Sequence, residues 1–301
     1  MSAERDNLID RRRLKRKLTM WQAGALVALL LLVIVGMGKM WSSDQPHIAR
    51  ISVNGVIADN FSREALIKTL AENNNAKALV VRINSPGGTV AGSEGLFNQL
   101  REFSESKPSA SFIGTIGASG GYITALGTDR IYARRNALTG SIGVLYQAPE
   151  FSGLLGKLGV GIQEVKSSPL KGGPSFYEPM DDRQRAVMKQ MIDDSNNWFV
   201  DIVSDRRGME WDLANELADG RVFTGGRAKD HNLIDEVGGE MQAIEWLREH
   251  EKVDADLPVV DYFPGQRYQG ILGNVMSWLG VDELAETRLG LDGLLALWQP
   301  R

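Results

Sequence analysis

Residues 111–126 read SFIGTIGASGGYITAL. Ser111–Ile116 has the length and apolar content of a buried strand, and a helix is expected to start near Ser119. Gly117, Gly120 and Gly121 surround Ser119, so the stretch matches the spacing G-x-S-x-G. Glycines permit a sharp strand-to-helix turn that exposes the hydroxyl, and they let a substrate backbone come close. The helix start offers free N–H groups and a partial positive charge to a developing oxyanion. The same residues also suit a serine N-cap followed by tight glycine packing. Taken alone, the motif leaves nucleophile and cap open.

The flanking sequence repeats the strand–helix pattern. Ile48–Ile57 alternates as a strand does, and Phe61–Asn73 has helical spacing with Ala65, Leu66 and Leu70 on one side. Lys77–Asn84 reads as a buried strand ended by Ser85-Pro86-Gly87-Gly88; Ala91–Ser106 reads as a helix and Arg130–Ala133 as a short strand. Such alternation predicts an α/β fold with a mostly parallel sheet and right-handed crossovers, its site at the carboxyl ends of the strands. Both glycine clusters fall at such ends. Helices are expected over Met180–Arg207, Glu210–Ala218 and Glu240–His250. The SPGG loop presents bare backbone N–H groups that suit an oxyanion or an extended peptide, although a plain strand–helix turn would read the same. It lacks the phosphate-loop lysine and the G-x-G-x-x-G spacing.

Composition narrows the chemistry. The 301 residues include no Cys and only three His. Thiolate nucleophiles, Cys-ligated zinc and iron–sulfur clusters are excluded, and His47, His231 and His250 lie too far apart in sequence to suggest a metal site. The net charge of −4 divides into +5 over residues 1–41, from eight Lys/Arg against three acids, and −9 over the remainder. An acidic body argues against nucleic-acid binding, which needs clustered Lys and Arg.

The basic block RRRLKRK at residues 11–17 precedes an uncharged run, Gln22–Gly38, bracketed by Trp21 and Trp41. Residues 21–41 match the ~20 residues that cross a bilayer, with tryptophans at the interfaces. Basic residues stay inside, so the N-terminus is expected in the cytoplasm and residues 42–301 outside the cytoplasmic membrane. A cleavable signal peptide shares the basic start, but its apolar core is shorter and ends at a small-residue cleavage site that is missing here. The expected division is a cytoplasmic tail over 1–20, the anchor over 21–41, a linker over 42–47, a domain over 48–263 and a C-terminal segment over 264–301 with packing or subunit contacts.

A serine nucleophile needs a proton acceptor. His231 with Asp235 as orienter is one choice; His250 ends a charged helical stretch, and His47 falls in the linker. A neutral lysine is the other, and GIQEVKSSPLKGGPSFYEPM offers Lys166 and Lys171.

Together these motifs resemble the signal peptide peptidase A type of membrane-anchored serine peptidase, peptidase family S49, in its short single-repeat form. The resemblance runs over residues 48–250 through RINSPGG at 82–88, GASGGY at 117–122, LTGSIGV at 138–144, VKSSPLKGGPSF at 165–176 and DGRVFTGGRAKDHNLIDEVGG at 219–239. It implies a ClpP/crotonase-like fold and a Ser–Lys dyad without metal or cofactor. Ser119 matches the nucleophile, Lys171 the base, Ser141 the hydroxyl that orients it, and Gly88 and Gly120 the oxyanion donors. It further implies a ring-shaped homo-oligomer that degrades cleaved signal peptides. Members often carry Ser-Gly where this chain has Ser167-Ser168 before Pro169, a departure that bears on the approach to Lys171.

Overall fold

The computed structural model describes residues 17, 20–22, 24–29, 45–249, 253–264 and 295–297. A mostly parallel sheet forms from β1 (His47–Ile57), β2 (Ala76–Thr89), β3 (Ser109–Ala118), β4 (Arg130–Ala133) and β5 (Leu138–Gly140). Shorter strands complete it: β6 (Val222–Thr224), β7 (Glu236–Val237), β8 (Val259–Asp261) and β9 (Leu295–Leu297). The order along the main path is β6-β5-β3-β2-β1-β8, with β4 joining β3 to β7 and β9 pairing with β2. The β5–β6 and β2–β9 pairs are antiparallel; the others are parallel. Helices α1 (Phe61–Glu72) and α2 (Val90–Ser106) make the first two crossovers, and α3 (Gly120–Leu126) follows β3. Beyond them come α4 (Ser152–Lys157), α5 (Asp182–Arg207), α6 (Trp211–Leu217), α7 (Gly225–Asp230) and α8 (Glu240–Glu249). The result is a mixed α/β fold built on a mostly parallel sheet.

The central strands are apolar on both faces because both are covered, the signature of a parallel sheet. Leu79, Val81 and Ile83 of β2 pack with Leu96, Leu100, Phe103 and Tyr122. The alternate residues Ala78 and Val80 pack with Phe112, Tyr132, Ala243 and Leu247. Caps fix where the helices begin. Asn60 accepts from the Arg63 N–H at 2.9 Å and Thr89 Oγ1 from the Gly92 N–H at 3.1 Å. Asp181 and Gln184 form a reciprocal capping box at the start of the 26-residue α5, which ends at Gly208 in a left-handed conformation. Asp181→Ala is expected to cost about 1 kcal/mol, read as a lower denaturation midpoint with unchanged slope.

Two expectations change. The strand predicted to stop at Asn84 runs on to Thr89, because Val56 and Ile57 of β1 pair with Gly87 and Gly88 past a register shift. His47 is not a linker residue: it is buried as the first residue of β1, its Nδ1 bonded to the Gln45 carbonyl and its Nε2 to the Tyr262 hydroxyl, each at 2.8 Å. Within residues 264–301, Leu295–Leu297 forms β9. In the expected anchor the described residues 21–22 and 24–29 are helical, and no helix among the described residues is long and apolar enough to cross a membrane. The rest of that run lies outside the described residues, as does His250.

Candidate active site

Ser119 sits between β3 and α3 with φ 54° and ψ −117°, outside the regions that L-residues favour. Its carbonyl accepts from the Tyr122 and Ile123 N–H groups, at 2.8 and 2.9 Å, and so opens α3. Its own N–H donates to the Gly140 carbonyl at 2.7 Å. The side chain makes no capping bond. The Ser119 hydroxyl is thus held in strained backbone without performing the capping role that the sequence left open. Strain of this kind, of order 1–3 kcal/mol, persists where surrounding structure enforces it and gathers at functional sites.

The SPGG segment lies against this turn. Ser85 pairs with Gly117 in the β2–β3 ladder. A Cβ placed on Gly121 would meet the Ser85 carbonyl oxygen at 2.7 Å, so glycine lets the first turn of α3 rest on that backbone. The buried Ser85 hydroxyl accepts from the Gly87 N–H at 3.1 Å and braces the loop. Gly88 is tighter still, since a Cβ there would fall 1.7 Å from the Ile57 carbonyl oxygen. Gly120 is the first residue of α3 and is buried.

A third strand closes the group. β5 pairs with the end of β3 through Gly117↔Thr139 and Ala118↔Gly140, and Thr139 Oγ1 donates to the Gly117 carbonyl at 2.8 Å. The next residue, Ser141, has φ 50° and is largely buried, and its N–H donates to the Arg221 carbonyl at 2.8 Å. Ser119, Gly88, Gly120 and Ser141 therefore converge on the carboxyl ends of β2, β3 and β5, as the topology demands. Ser85 and Thr139 brace this group and were not singled out from the sequence. Their only local signal is a small hydroxyl residue beside a glycine pair or at a strand end.

The lysines separate. Lys166 makes ion pairs with Glu164 at 2.7 Å and Glu178 at 3.0 Å, and these carboxylates push its pKa above the ordinary lysine value. A lysine held protonated in this way is a poor base. Lys171 is exposed, and its backbone N–H donates to the Ser168 carbonyl at 3.1 Å. No side-chain hydrogen bond or ion pair among the described residues ties its ammonium to a partner or to Ser119. The His231–Asp235 pair does not form. Both Asp235 carboxylate oxygens face the Arg207 guanidinium at 3.1 Å, and Oδ2 also accepts from the Ile131 N–H at 2.7 Å. His231 is exposed with its ring edge-on to Phe223. Asp235 is thus a clasp between α5 and β4, not a histidine orienter.

Sequence comparison with known proteins identifies the family. The profile of peptidase family S49 matches residues 101–254, just over half of the chain. A candidate protease of Synechocystis is 37% identical over 222 residues, spanning 73% of this chain and 80% of that protein. A candidate signal peptide peptidase of Enterococcus faecium is 32% identical over 253 residues, 79% of this chain and 72% of that one. Protease 4 of Haemophilus influenzae is 29% identical over 225 residues, but this chain spans only 36% of its length. The chain belongs to peptidase family S49, among its peptidases of the signal peptide peptidase A type.

Proposed function

We propose that this peptidase is of the serine type, with Ser119 as nucleophile and Lys171 as general base. The observation that carries the reading is the strained turn at Ser119, a buried serine freed from capping and set beside the glycine backbone of residues 87–88 and 120. In the proposed cycle neutral Lys171 takes the proton from Ser119 Oγ as that oxygen attacks the peptide carbonyl. The N–H groups of Gly88 and Gly120 hold the oxyanion. Lys171 then protonates the leaving amine and later deprotonates the water that releases the acyl group. Ser141 orients the lysine.

Lysine serves as a base only when desolvation or a nearby cation keeps it neutral. In the isolated chain Lys171 is exposed, and so are Val160, Ile162, Val165 and Leu170 in the segment that leads up to it. A second copy of the chain covering that segment would bury the lysine, which favours a homo-oligomer, in the proposed reading a ring. Residues 21–41 would anchor each copy in the cytoplasmic membrane with the catalytic domain outside. Remnant signal peptides are the proposed substrates, by analogy with the name carried by the Enterococcus relative.

The test is cleavage of apolar peptides by the full chain and three variants. Lys171→Ala is expected to lower kcat about 10³-fold, while Lys166→Ala and His231→Ala stay within about threefold. Full activity in Lys171→Ala would refute the dyad; loss in His231→Ala alone would move the base to the histidine.

A further inference from the structure

The peptide between Gly87 and Gly88 carries the N–H that the proposed cycle aims at the oxyanion. It is also a peptide that the sequence leaves free to turn over. Neither residue has a Cβ, and Gly87 stands at φ 113°, a conformation that L side chains rarely adopt. Rotation about the bonds on either side would exchange C=O and N–H, placing a carbonyl oxygen where the oxyanion has to sit. β1 sets the line of the strand here through Val56↔Gly87 and Ile57↔Gly88. A second hold comes from a side chain. The Ser85 hydroxyl, fully buried, accepts from the Gly87 N–H at 3.1 Å and donates to the Gly87 carbonyl at 3.3 Å.

We propose that Ser85 is a positioning residue for the oxyanion site. The proposal rests on the reading of Ser119 and Gly88 given above and adds what keeps the Gly88 N–H in its working direction. In a planar trans peptide the C=O and the following N–H point opposite ways. Holding the Gly87 carbonyl toward Ser85 therefore turns the Gly88 N–H away from that hydroxyl. A flip would break the bond and leave the buried Ser85 proton without its acceptor, which is unfavourable. Ser85 is itself fixed to the turn that carries Ser119. It pairs with Gly117, and its carbonyl oxygen lies 2.7 Å from where a Cβ on Gly121 would stand. One serine thus ties the direction of the oxyanion donor to the nucleophile's turn. Oxyanion sites stabilise charge through donors that are oriented before the reaction begins.

The bond to the carbonyl is long at 3.3 Å, so its loss loosens the donor without deleting it. The expected effect is about tenfold in kcat, below the roughly 10²–10³-fold that follows from removing a donor outright. The experiment uses the full chain as wild type, Ser85→Ala, Ser85→Cys and Ser119→Ala. Cysteine fills the space of the serine but holds a carbonyl only weakly. Cleavage of an apolar peptide is measured, together with binding of two probes. One is a short acetylated Leu/Ala peptide ending in an aldehyde, and the other is the same peptide ending in a carboxamide. With the aldehyde, Ser119 Oγ adds to the carbonyl carbon, its proton passes to Lys171, and the carbonyl oxygen becomes the oxyanion. The carboxamide reports binding alone. Ser85→Ala and Ser85→Cys are expected to lower kcat and aldehyde affinity by the same factor, about tenfold, with KM and carboxamide affinity held within about twofold.

Wild-type kcat and aldehyde affinity in Ser85→Ala overturn the proposal and leave the reading of Ser119 standing. Recovery of wild-type kcat in Ser85→Cys overturns it as well, because the side chain would then act through its volume. Equal weakening of both probes, with a lower melting temperature, reduces Ser85 to a packing role and has the same consequence. If wild type shows no preference for the aldehyde, or Ser119→Ala keeps that preference, the nucleophile reading fails and this proposal falls with it.

Discussion

Ser119→Ala abolishes peptide cleavage, with kcat expected to fall about 10⁴-fold or more, and leaves the protein folded. In the proposed cycle the rate loss follows from removing the atom that forms the acyl bond; what remains is the contribution of the oxyanion site and of binding. Stability is a separate question, and the geometry answers it. The Ser119 side chain caps nothing, so its removal orphans no N–H at the start of α3. The turn is held by backbone bonds, from the Ser119 N–H to the Gly140 carbonyl and from the Tyr122 and Ile123 N–H groups to the Ser119 carbonyl. Alanine has the same Cβ and meets the same strain at φ 54°. The melting temperature is therefore expected to correspond to a change within about 1 kcal/mol. Ser119→Gly extends the argument: it relieves the strain and is expected to be inactive yet more stable, by about 1 kcal/mol. Cleavage assays and thermal melts on the two variants check both halves. Wild-type cleavage by Ser119→Ala would put the chemistry elsewhere.

The strand–helix alternation from Ile48 to Ala133 is legible because the sheet is buried on both faces. Its central strands must be apolar without interruption, and LVV at 79–81 can be little else. Ser119 is legible for the same reason, as a small glycine-flanked residue at the end of such a strand. The extension of β2 through Ser85–Thr89 is not. Proline and two glycines carry a turn's composition, and their extended form is imposed by β1, about thirty residues earlier, and by β9 from the far end of the chain. The strands β5, β6 and β7, of three, three and two residues, have too little sequence to show a period, and pairing alone defines them. His47 misleads because its hydroxyl partner, Tyr262, lies 215 residues away. Between Lys166 and Lys171 the local sequence offers no choice. The carboxylates of Glu164 and Glu178 occupy Lys166, and that pairing is what separates the two lysines.

Gly88→Ala tests the site from the side of the backbone. A Cβ at this position would stand 1.7 Å from the Ile57 oxygen, 2.4 Å from its carbonyl carbon and 2.5 Å from its nitrogen. All three are main-chain atoms of the paired strand, so no side chain can swing aside to make room. The β1–β2 ladder must open by more than an ångström at a point where both strands are buried. The expected cost is about 3 kcal/mol or more, read as a lower midpoint in chemical denaturation. Below that midpoint, where the variant is still folded, kcat is expected to fall about 10²–10³-fold, because the displaced strand carries the Gly88 N–H away from the oxyanion. Gly114→Ala is the matching control in the same sheet. Its Cβ would make ordinary contact with the Phe112 ring at 3.7 Å, so stability should hold or rise slightly and kcat should not change. Loss of stability in Gly88→Ala with undiminished kcat in the folded protein would keep the packing argument and remove Gly88 from the oxyanion site. Wild-type behaviour in both measurements would contradict the close approach of β1 and β2 on which the site is built.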